Sequence, residues 1–262
     1  MAFVRYSVRD GVGVLTLDRP EKANAQNRAL LDELDAGWSA AAADPEVRVI
    51  LLQANGRHFS AGMELGAEAA VGAPPFSNAT EIAKTLAWRN VPKPAIAAVQ
   101  GKCIAAGLLL CWPCDLIIAS EDAEFLDPTV RMGLAGVQYL AHAWELGPRK
   151  AKEMLLRSSP VRAQEALELG MVNRVVPRDR LHEEAMLWAR EIADVDPTMA
   201  ALVKRAINGV SDTQGFTASI WHSFDLLELA YSLRPRERPA DELERMRRAN
   251  ARPGDRASES PE

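Results

Sequence analysis

Apolar and polar positions alternate along residues 4–17 and break once, at Asp10-Gly11, a dipeptide suited to a tight turn; the pattern predicts two strands in a hairpin. The period then lengthens. Leu30, Leu31, Leu34 and Trp38 recur at helical spacing and predict a helix over residues 27–43, with Asn27 as its N-cap. A strand follows over 47–54, then a loop rich in Ala, Gly and Pro over 68–78, and a helix over 80–89. Pro92-Lys93-Pro94 punctuates the entry to a short apolar strand, 95–99, and 115–119 repeats that strand pattern. Beyond it the pattern predicts a turn at Gly133, a helix from about Val137 and a second helix starting at Pro148. Further helices are predicted over 162–169 and over 181–193, the latter with Leu181, Ala185, Leu187, Trp188 and Ile192 as its apolar set. After Asp196-Pro197 only helices are predicted, over 198–209, 216–233 and 241–251. Leu226, Leu227, Leu229 and Ala230 give the middle one a wide apolar face, and residues 252–262 have the composition of a disordered tail.

Composition narrows the classes open to such a chain. Its 262 residues, 48% of them apolar, can bury a full core and sit near the upper limit of one domain. A net charge of −5 gives no reason to expect a nucleic-acid partner. Cys111 and Cys114 have CxxC spacing, but no second such pair or HxxxH follows and the pair lies in an apolar segment. Buried free thiols in a reducing compartment are expected, in preference to a redox pair or half a zinc site. No charged head with an apolar stretch opens the chain, and no apolar run reaches the ~18 residues of a membrane helix, so a cytoplasmic protein is expected.

Two stretches carry the candidate chemistry. Residues 99–116 run from a strand through Gly101 into Ala105-Ala106-Gly107, small residues where a helix should begin. A helix start leaves its first N–H groups without intrahelical partners, and small residues let a ligand approach them. Residues 56–65, Gly-Arg-His-Phe-Ser-Ala-Gly-Met-Glu-Leu, offer a second glycine turn after a buried strand. Two such turns in this order, with Leu17-Asp18-Arg19-Pro20-Glu21-Lys22-Ala23-Asn24-Ala25, Asp115-Leu116-Ile117-Ile118-Ala119 and residues 166–177, "ALELGMVNRVVP", resemble the crotonase (enoyl-CoA hydratase/isomerase) superfamily. The resemblance runs from about Val4 to Arg252. It implies an α/β fold, a spiral of stacked ββα units over 1–196, with a C-terminal α-helical trimerisation section over 197–251 and the tail beyond.

The resemblance also implies site residues. The peptide N–H groups of Met63 and Ala106 align with the oxyanion-hole donors that grip a thioester carbonyl. Lys22, Ala23, Ala25, Arg57, Ala61 and Leu65 fall on the coenzyme A contacts, and Arg247 and Arg248 could meet its phosphates from a neighbouring subunit. Coenzyme A enters as part of the substrate, with no tightly bound cofactor and no metal expected; the implied partners are an acyl-CoA and further copies of the chain, as a trimer or dimer of trimers, with no nucleic acid or membrane.

The departures are as informative as the matches. The two glutamates with which hydratases of this family add water align with Leu109 and Thr129, neither of which can transfer a proton near neutral pH. Asp127 is two residues from Thr129 and shares its face on an extended strand, where it is either an acid/base or an Asx-type cap before Pro128. His142 and Glu145, at i and i+3, could pair as an acid–base device or lie on the surface, and two residues fewer separate Gly133 from Gly147 than in the hydratases. Glu64 borders the pocket or is a solvated loop carboxylate; Arg131, Gln138 and Tyr139 could supply hydrogen bonds. Two readings stay open: a lyase, isomerase or hydrolase with acid/base residues outside the family pattern, Asp127 first and His142 second, or a catalytically inactive acyl-CoA carrier or sensor. A thiol redox protein would require exposed Cys111 and Cys114.

Overall fold

The computed structural model describes residues 2–64, 79–233 and 244. Leu65, Arg247 and Arg248, the loop expected over 68–78, the helix expected over 241–251 and the tail all lie outside the described residues. Strands β1 (Val4–Arg9) and β2 (Val12–Leu17) form the expected hairpin. Its corner needs left-handed backbone at both Asp10 (φ 53°) and Gly11 (φ 74°), the combination an Asp-Gly pair tolerates. Helix α1 (Arg28–Ala43) begins where Asn27 Oδ1 accepts the Leu30 N–H at 3.0 Å, as an N-cap should. Strand β3 (Val49–Ala54), helix α2 (Ala79–Arg89), strands β4 (Ala95–Val99) and β5 (Lys102–Ile104), the one-turn helix α3 (Leu108–Cys111), and strands β6 (Leu116–Ser120) and β7 (Glu124–Leu126) follow in that order.

Strands β1 to β4, β6 and β9 (Arg174–Val176) form a six-stranded sheet, parallel except for the first hairpin. β5, β7 and β8 (Val161–Arg162) form a second, smaller sheet. Each long strand from β4 onward thus hands the chain to a short strand in the other sheet before a helix returns it. Both faces of the large sheet are covered from β2 to β6, which is why those strands are apolar almost throughout, whereas β1 at the edge is exposed beyond Val4. One face, with Leu15, Leu17, Ile50, Leu52, Ala97 and Val99, packs on α1, where Trp38 stacks on Trp88 of α2 at 5.9 Å. The other, with Val14, Val49, Leu51, Ile96 and Ile118, packs on α6 (Leu181–Ala193).

Two expectations need correction. The α6 contact is made by Leu181, Ala185, Ala189 and Ala193, a stripe of mainly small residues that lets the helix lie close to the sheet, while Leu187 is 48% exposed. The helix expected from Val137 begins at His142 instead, as α4 (His142–Arg157). Val137, Gln138, Tyr139 and Ala141 are all buried, so they fill the interior on every side and have no solvent face of the kind an amphipathic helix presents. The restart at Pro148 is present: Gly147 leaves helical geometry (φ 73°, ψ 157°) and the second half resumes from the proline.

Helix α5 (Ala163–Glu168) precedes β9, and the chain ends in α7 (Pro197–Thr213), capped by Asp196 on the Met199 N–H, and α8 (Phe216–Leu233). Lys204 of α7 pairs with Asp115 at 2.8 Å, and the Arg89 guanidinium pairs with Asp212 at 3.2 Å while lying 4.5 Å from the centre of the Phe216 ring. All three cysteines are free and buried. Because α1 anchors one face of the large sheet, its cap should be measurable: Asn27→Ala is expected to lower unfolding free energy by about 1 kcal/mol. Urea denaturation should show an earlier midpoint with an unchanged slope.

Candidate functional site

The site begins with a buried asparagine. After a 3₁₀ turn over Pro20–Lys22, Ala23 (φ 50°) and Asn24 (φ 51°) are both left-handed. Asn24, fully buried, accepts the Arg19 N–H at 2.8 Å and donates to the carbonyls of Asn55 and His58, each at 2.9 Å. The Ala61 N–H donates to Ala23 O and the Ser60 hydroxyl to Asn24 O, both at 2.9 Å. Residues 19–25 and 55–61 are therefore one bonded unit, which brings Lys22, Ala23, Ala25, Arg57 and Ala61 together. Lys22 and Arg57 are exposed on its rim. His58 accepts the Lys102 N–H through Nδ1, and burial, with Arg57, Lys102 and Arg178 nearby, holds its pKa below the usual histidine value.

From this unit the chain presents two free N–H groups. Gln26 donates to Gly62 O at 2.7 Å and accepts from the Glu64 N–H at 2.8 Å. Those bonds use the atoms on either side of Met63, and the Met63 N–H itself has no hydrogen bond among the described residues. On the facing turn, Gly101 (φ 56°) starts β5; a Cβ there would meet Arg57 O at 2.3 Å. The Ile104 N–H donates to Ser60 O at 3.0 Å, Ala105 is left-handed (φ 49°), and a 3₁₀ turn over Ala105–Gly107 opens α3. The Ala106 N–H, at the head of that turn, has no intrahelical acceptor. The two turns touch: a Cβ on Gly62 would lie 2.5 Å from Ile104 O and 3.4 Å from Ala106 N. Only glycine fits at 62, and its fit keeps both unpaired N–H groups side by side.

A pocket adjoins them. Leu31, Met63, Trp88, Leu109 and Leu110 form its apolar walls, and Gln26, Glu81, Thr85 and Gln138 supply its polar atoms. Leu109, one of the two positions where the hydratase pattern has glutamate, is thus an apolar wall. Gln138 was an expected hydrogen-bonding candidate and lines the pocket; Arg131 is exposed. Glu81 was missed by sequence reasoning. The available signal was its place on the buried stripe of α2 with Ile82, Thr85, Leu86 and Arg89, where a carboxylate is unusual.

Asp127 and His142 come together outside the pocket lining. Both are fully buried, with His142 Nε2 3.0 Å from Asp127 Oδ2. Asp127 Oδ1 accepts from both the N–H and the hydroxyl of Thr129, so the Asx cap is present as well as the histidine contact. The edge of Trp112 packs on the His142 ring at 4.7 Å. Asp127 Oδ2, both His142 ring nitrogens, Trp112 Nε1 and the Tyr139 hydroxyl lack aligned hydrogen bonds although buried. The i, i+3 pairing of His142 with Glu145 does not form, because Asp127 takes the histidine. Glu145 is desolvated against the protein, which pushes its pKa up to about 7, opposed only in part by Arg89. Glu64 is a partly exposed loop carboxylate held in an ion pair: it meets Arg19 at 2.7 Å, and that hydrogen bond holds its carboxyl below the usual range.

Comparison with known proteins follows the same lines. Residues 7–223 match the family model for enoyl-CoA hydratase/isomerase. EchA13 of Mycobacterium tuberculosis is 41% identical over 258 residues, covering 88% of this chain and 81% of that protein. The rat enoyl-CoA hydratase domain-containing protein 3 is 35% identical over 202 residues, covering 75% of this chain and 67% of its own. Among solved structures, a "probable enoyl-CoA hydratase" from Mycobacterium thermoresistibile superposes with a TM-score of 0.83 at 53% identity, covering 88% of this chain and 97% of that one. An enoyl-CoA hydratase/isomerase from Xanthobacter autotrophicus Py2 gives 0.86 at 34% identity over 97% and 95% of the two chains.

The Glu145 carboxyl makes a pH-dependent prediction. Its pKa is raised on folding, from the ordinary 4.5 to about 7, so the native state holds this proton more tightly than the unfolded chain. Its stabilising contribution is complete below the unfolded pKa and is lost as pH rises through about 7. Glu145→Gln should therefore raise stability at pH 8 by roughly 1–3 kcal/mol and change little at pH 4. Paired thermal or urea unfolding at the two pH values would show it.

Proposed function

Because the chain belongs to the enoyl-CoA hydratase/isomerase family, we propose that it is an enzyme acting on CoA thioesters whose carbonyl oxygen sits between the N–H groups of Met63 and Ala106. The observation that carries this reading is the pair of unhydrogen-bonded N–H groups on touching turns beside a largely apolar pocket. Such donors stabilise the enolate-like charge that develops when a thioester reacts, and one of them is worth ~3–4 kcal/mol where it has been removed. The unit organised by Asn24 carries the CoA contacts at Lys22, Ala23, Ala25, Arg57 and Ala61, with Leu65 continuing the same chain segment. Lys22 and Arg57 supply positive charge at the rim for phosphates.

Two-glutamate hydration is not its chemistry. Leu109 lines the pocket and Thr129 gives its hydroxyl proton to Asp127, so neither position offers a titrating group. The buried Asp127–His142 pair is the acid/base unit in this reading. Buried polar atoms are ordinarily satisfied, so several unaligned ones around His142 favour a working site over a purely structural one. The chain also assembles, as a trimer or dimer of trimers, through its C-terminal helices. Met199, Leu202, Val203, Ile207 and Val210 of α7 and Leu226, Leu229 and Leu233 of α8 are each 47–74% exposed in the single chain, an apolar surface of the kind that marks interfaces.

A panel of acyl-CoA thioesters scored by calorimetry and mass spectrometry tests these statements together. Thioesters should bind, while crotonyl-CoA hydration should be slow, since losing a general acid or base costs ~10²–10⁴-fold each. On a thioester that is turned over, Asp127→Asn and His142→Gln should each lower kcat by a similar factor and leave binding intact. Binding without turnover across the panel would favour the carrier, and unchanged turnover in Asp127→Asn would reduce that residue to a cap. Light scattering should give a trimer or hexamer, with Ile207→Glu shifting it toward monomer; a wild-type monomer at micromolar concentration would contradict the assembly.

A further inference from the structure

One hydroxyl lies between the two turns that carry the unpaired N–H groups. Ser60 is fully buried, and its Oγ uses all the hydrogen-bonding capacity a hydroxyl has. It donates to Asn24 O at 2.9 Å and accepts from the Gly62 N–H and from Gln26 Nε2, each at 3.2 Å. Two of these partners are N–H donors, so the single hydroxyl proton belongs to Asn24 O. A hydroxyl engaged in this way has nothing left to offer a substrate, which removes Ser60 as a nucleophile. Its main chain turns to the other side. The Ser60 N–H donates to Lys102 O at 3.2 Å and Ser60 O accepts the Ile104 N–H at 3.0 Å. A Cβ on Gly107 would lie 2.9 Å from Ser60 O, so the Ala105–Gly107 turn is seated directly on this residue. Ser60 thus holds the strand that leads into Ala106 by its backbone, and the turn that leads into Met63 by its side chain.

The side-chain bonds bear on the direction of the Met63 N–H. That group shares a peptide plane with Gly62 C=O, which accepts the Gln26 N–H at 2.7 Å. The preceding peptide, which carries the Gly62 N–H, is held by Ser60 Oγ. Gly62, left-handed at φ 83°, is the joint between the two planes. With both planes tied, the joint is fixed and the Met63 N–H keeps one direction. Removing the hydroxyl frees the first plane, and a glycine joint resists rotation least of all. It also leaves the Gly62 N–H as an unpaired donor next to Met63. The loop opposite keeps its other ties, because Asn24 still bonds Arg19, Asn55 and His58 and Ala23 O still accepts the Ala61 N–H. We propose that Ser60 is the positioning residue of the oxyanion pair: its hydroxyl aims the Met63 N–H while its backbone seats the Ala106 turn.

This rests on the CoA-thioester reading above, and the two fail differently. The probe is butanoyl-CoA with ¹³C at the thioester carbonyl, its affinity read by calorimetry and its bound carbonyl resonance by NMR. In the wild type that resonance should lie downfield of the free thioester. Ser60→Ala should take back about half of the displacement, as one of two donors loses its aim, with affinity kept within about 3-fold. Ser60→Cys keeps the shape but is a weaker donor and acceptor, so its resonance should fall between the two. The cysteine variant is the readout if the alanine variant fails to fold. A merely structural serine would lower the urea midpoint and leave the bound resonance at its wild-type position. That result in Ser60→Ala, or in Ser60→Cys where alanine does not fold, would overturn this proposal alone. A wild type that does not bind butanoyl-CoA, or binds it with the resonance at its free position, would overturn the thioester reading and this one with it.

Discussion

Keeping two backbone N–H groups free of partners in a nearly dry place is the constraint on which the rest of this structure depends. A buried N–H without an acceptor is costly, and ordinary folding removes it by forming one more turn or strand bond. Here the competing acceptors are occupied elsewhere. Gln26 holds the atoms on either side of Met63, Ser60 O takes the Ile104 N–H, and the helix that follows Ala106 starts too late to claim its N–H. Five bonds to and from Ala23, Asn24 and their neighbours fix the loop opposite. Left-handed backbone at Ala23, Asn24, Gly62, Gly101 and Ala105 is the local strain that this arrangement requires, and it is supported by the two-sheet core behind it.

Electrostatics divides the carboxylates near this place into different roles. Glu64 is held ionised by Arg19 and shapes the loop. Asp127 bridges Thr129 and His142 inside the core. Glu145 is pushed up by burial near Arg89, and Glu81 holds Arg28 and Lys84 through Oε1. A similar carboxyl group thus serves as a loop staple or a buried bridge according to what surrounds it.

Much of the fold was legible in the sequence, because it follows from periodicity and turn chemistry. The Asp10-Gly11 hairpin, the Asn27 cap, the Pro148 restart and the bounds of α6 and α8 all rest on local signals. What was not legible depends on contacts distant in sequence. A helix is expected from about Val137, but the burial of Val137, Gln138, Tyr139 and Ala141 is a tertiary fact. Leu187 was assigned to the α6 core, where the close approach of the alanine stripe leaves it outside. The meeting of Asp127 with His142 joins positions on two elements, so i, i+3 spacing pointed to Glu145 instead. Glu81 required knowing which face of α2 turns to the pocket, and Leu65, Arg247 and Arg248 fall outside the described residues.

The proposed thioester grip can be tested on the reacting bond. A saturated acyl-CoA carrying ¹³C at the thioester carbonyl, bound to the full chain, reports its C=O stretch by isotope-edited infrared spectroscopy. Two N–H donors aimed at that oxygen should weaken the bond and move the band to lower frequency than in water, with a parallel downfield carbon shift in NMR. A bound thioester whose carbonyl band stays at its aqueous position would contradict the central claim, because Met63 and Ala106 would then not be holding it.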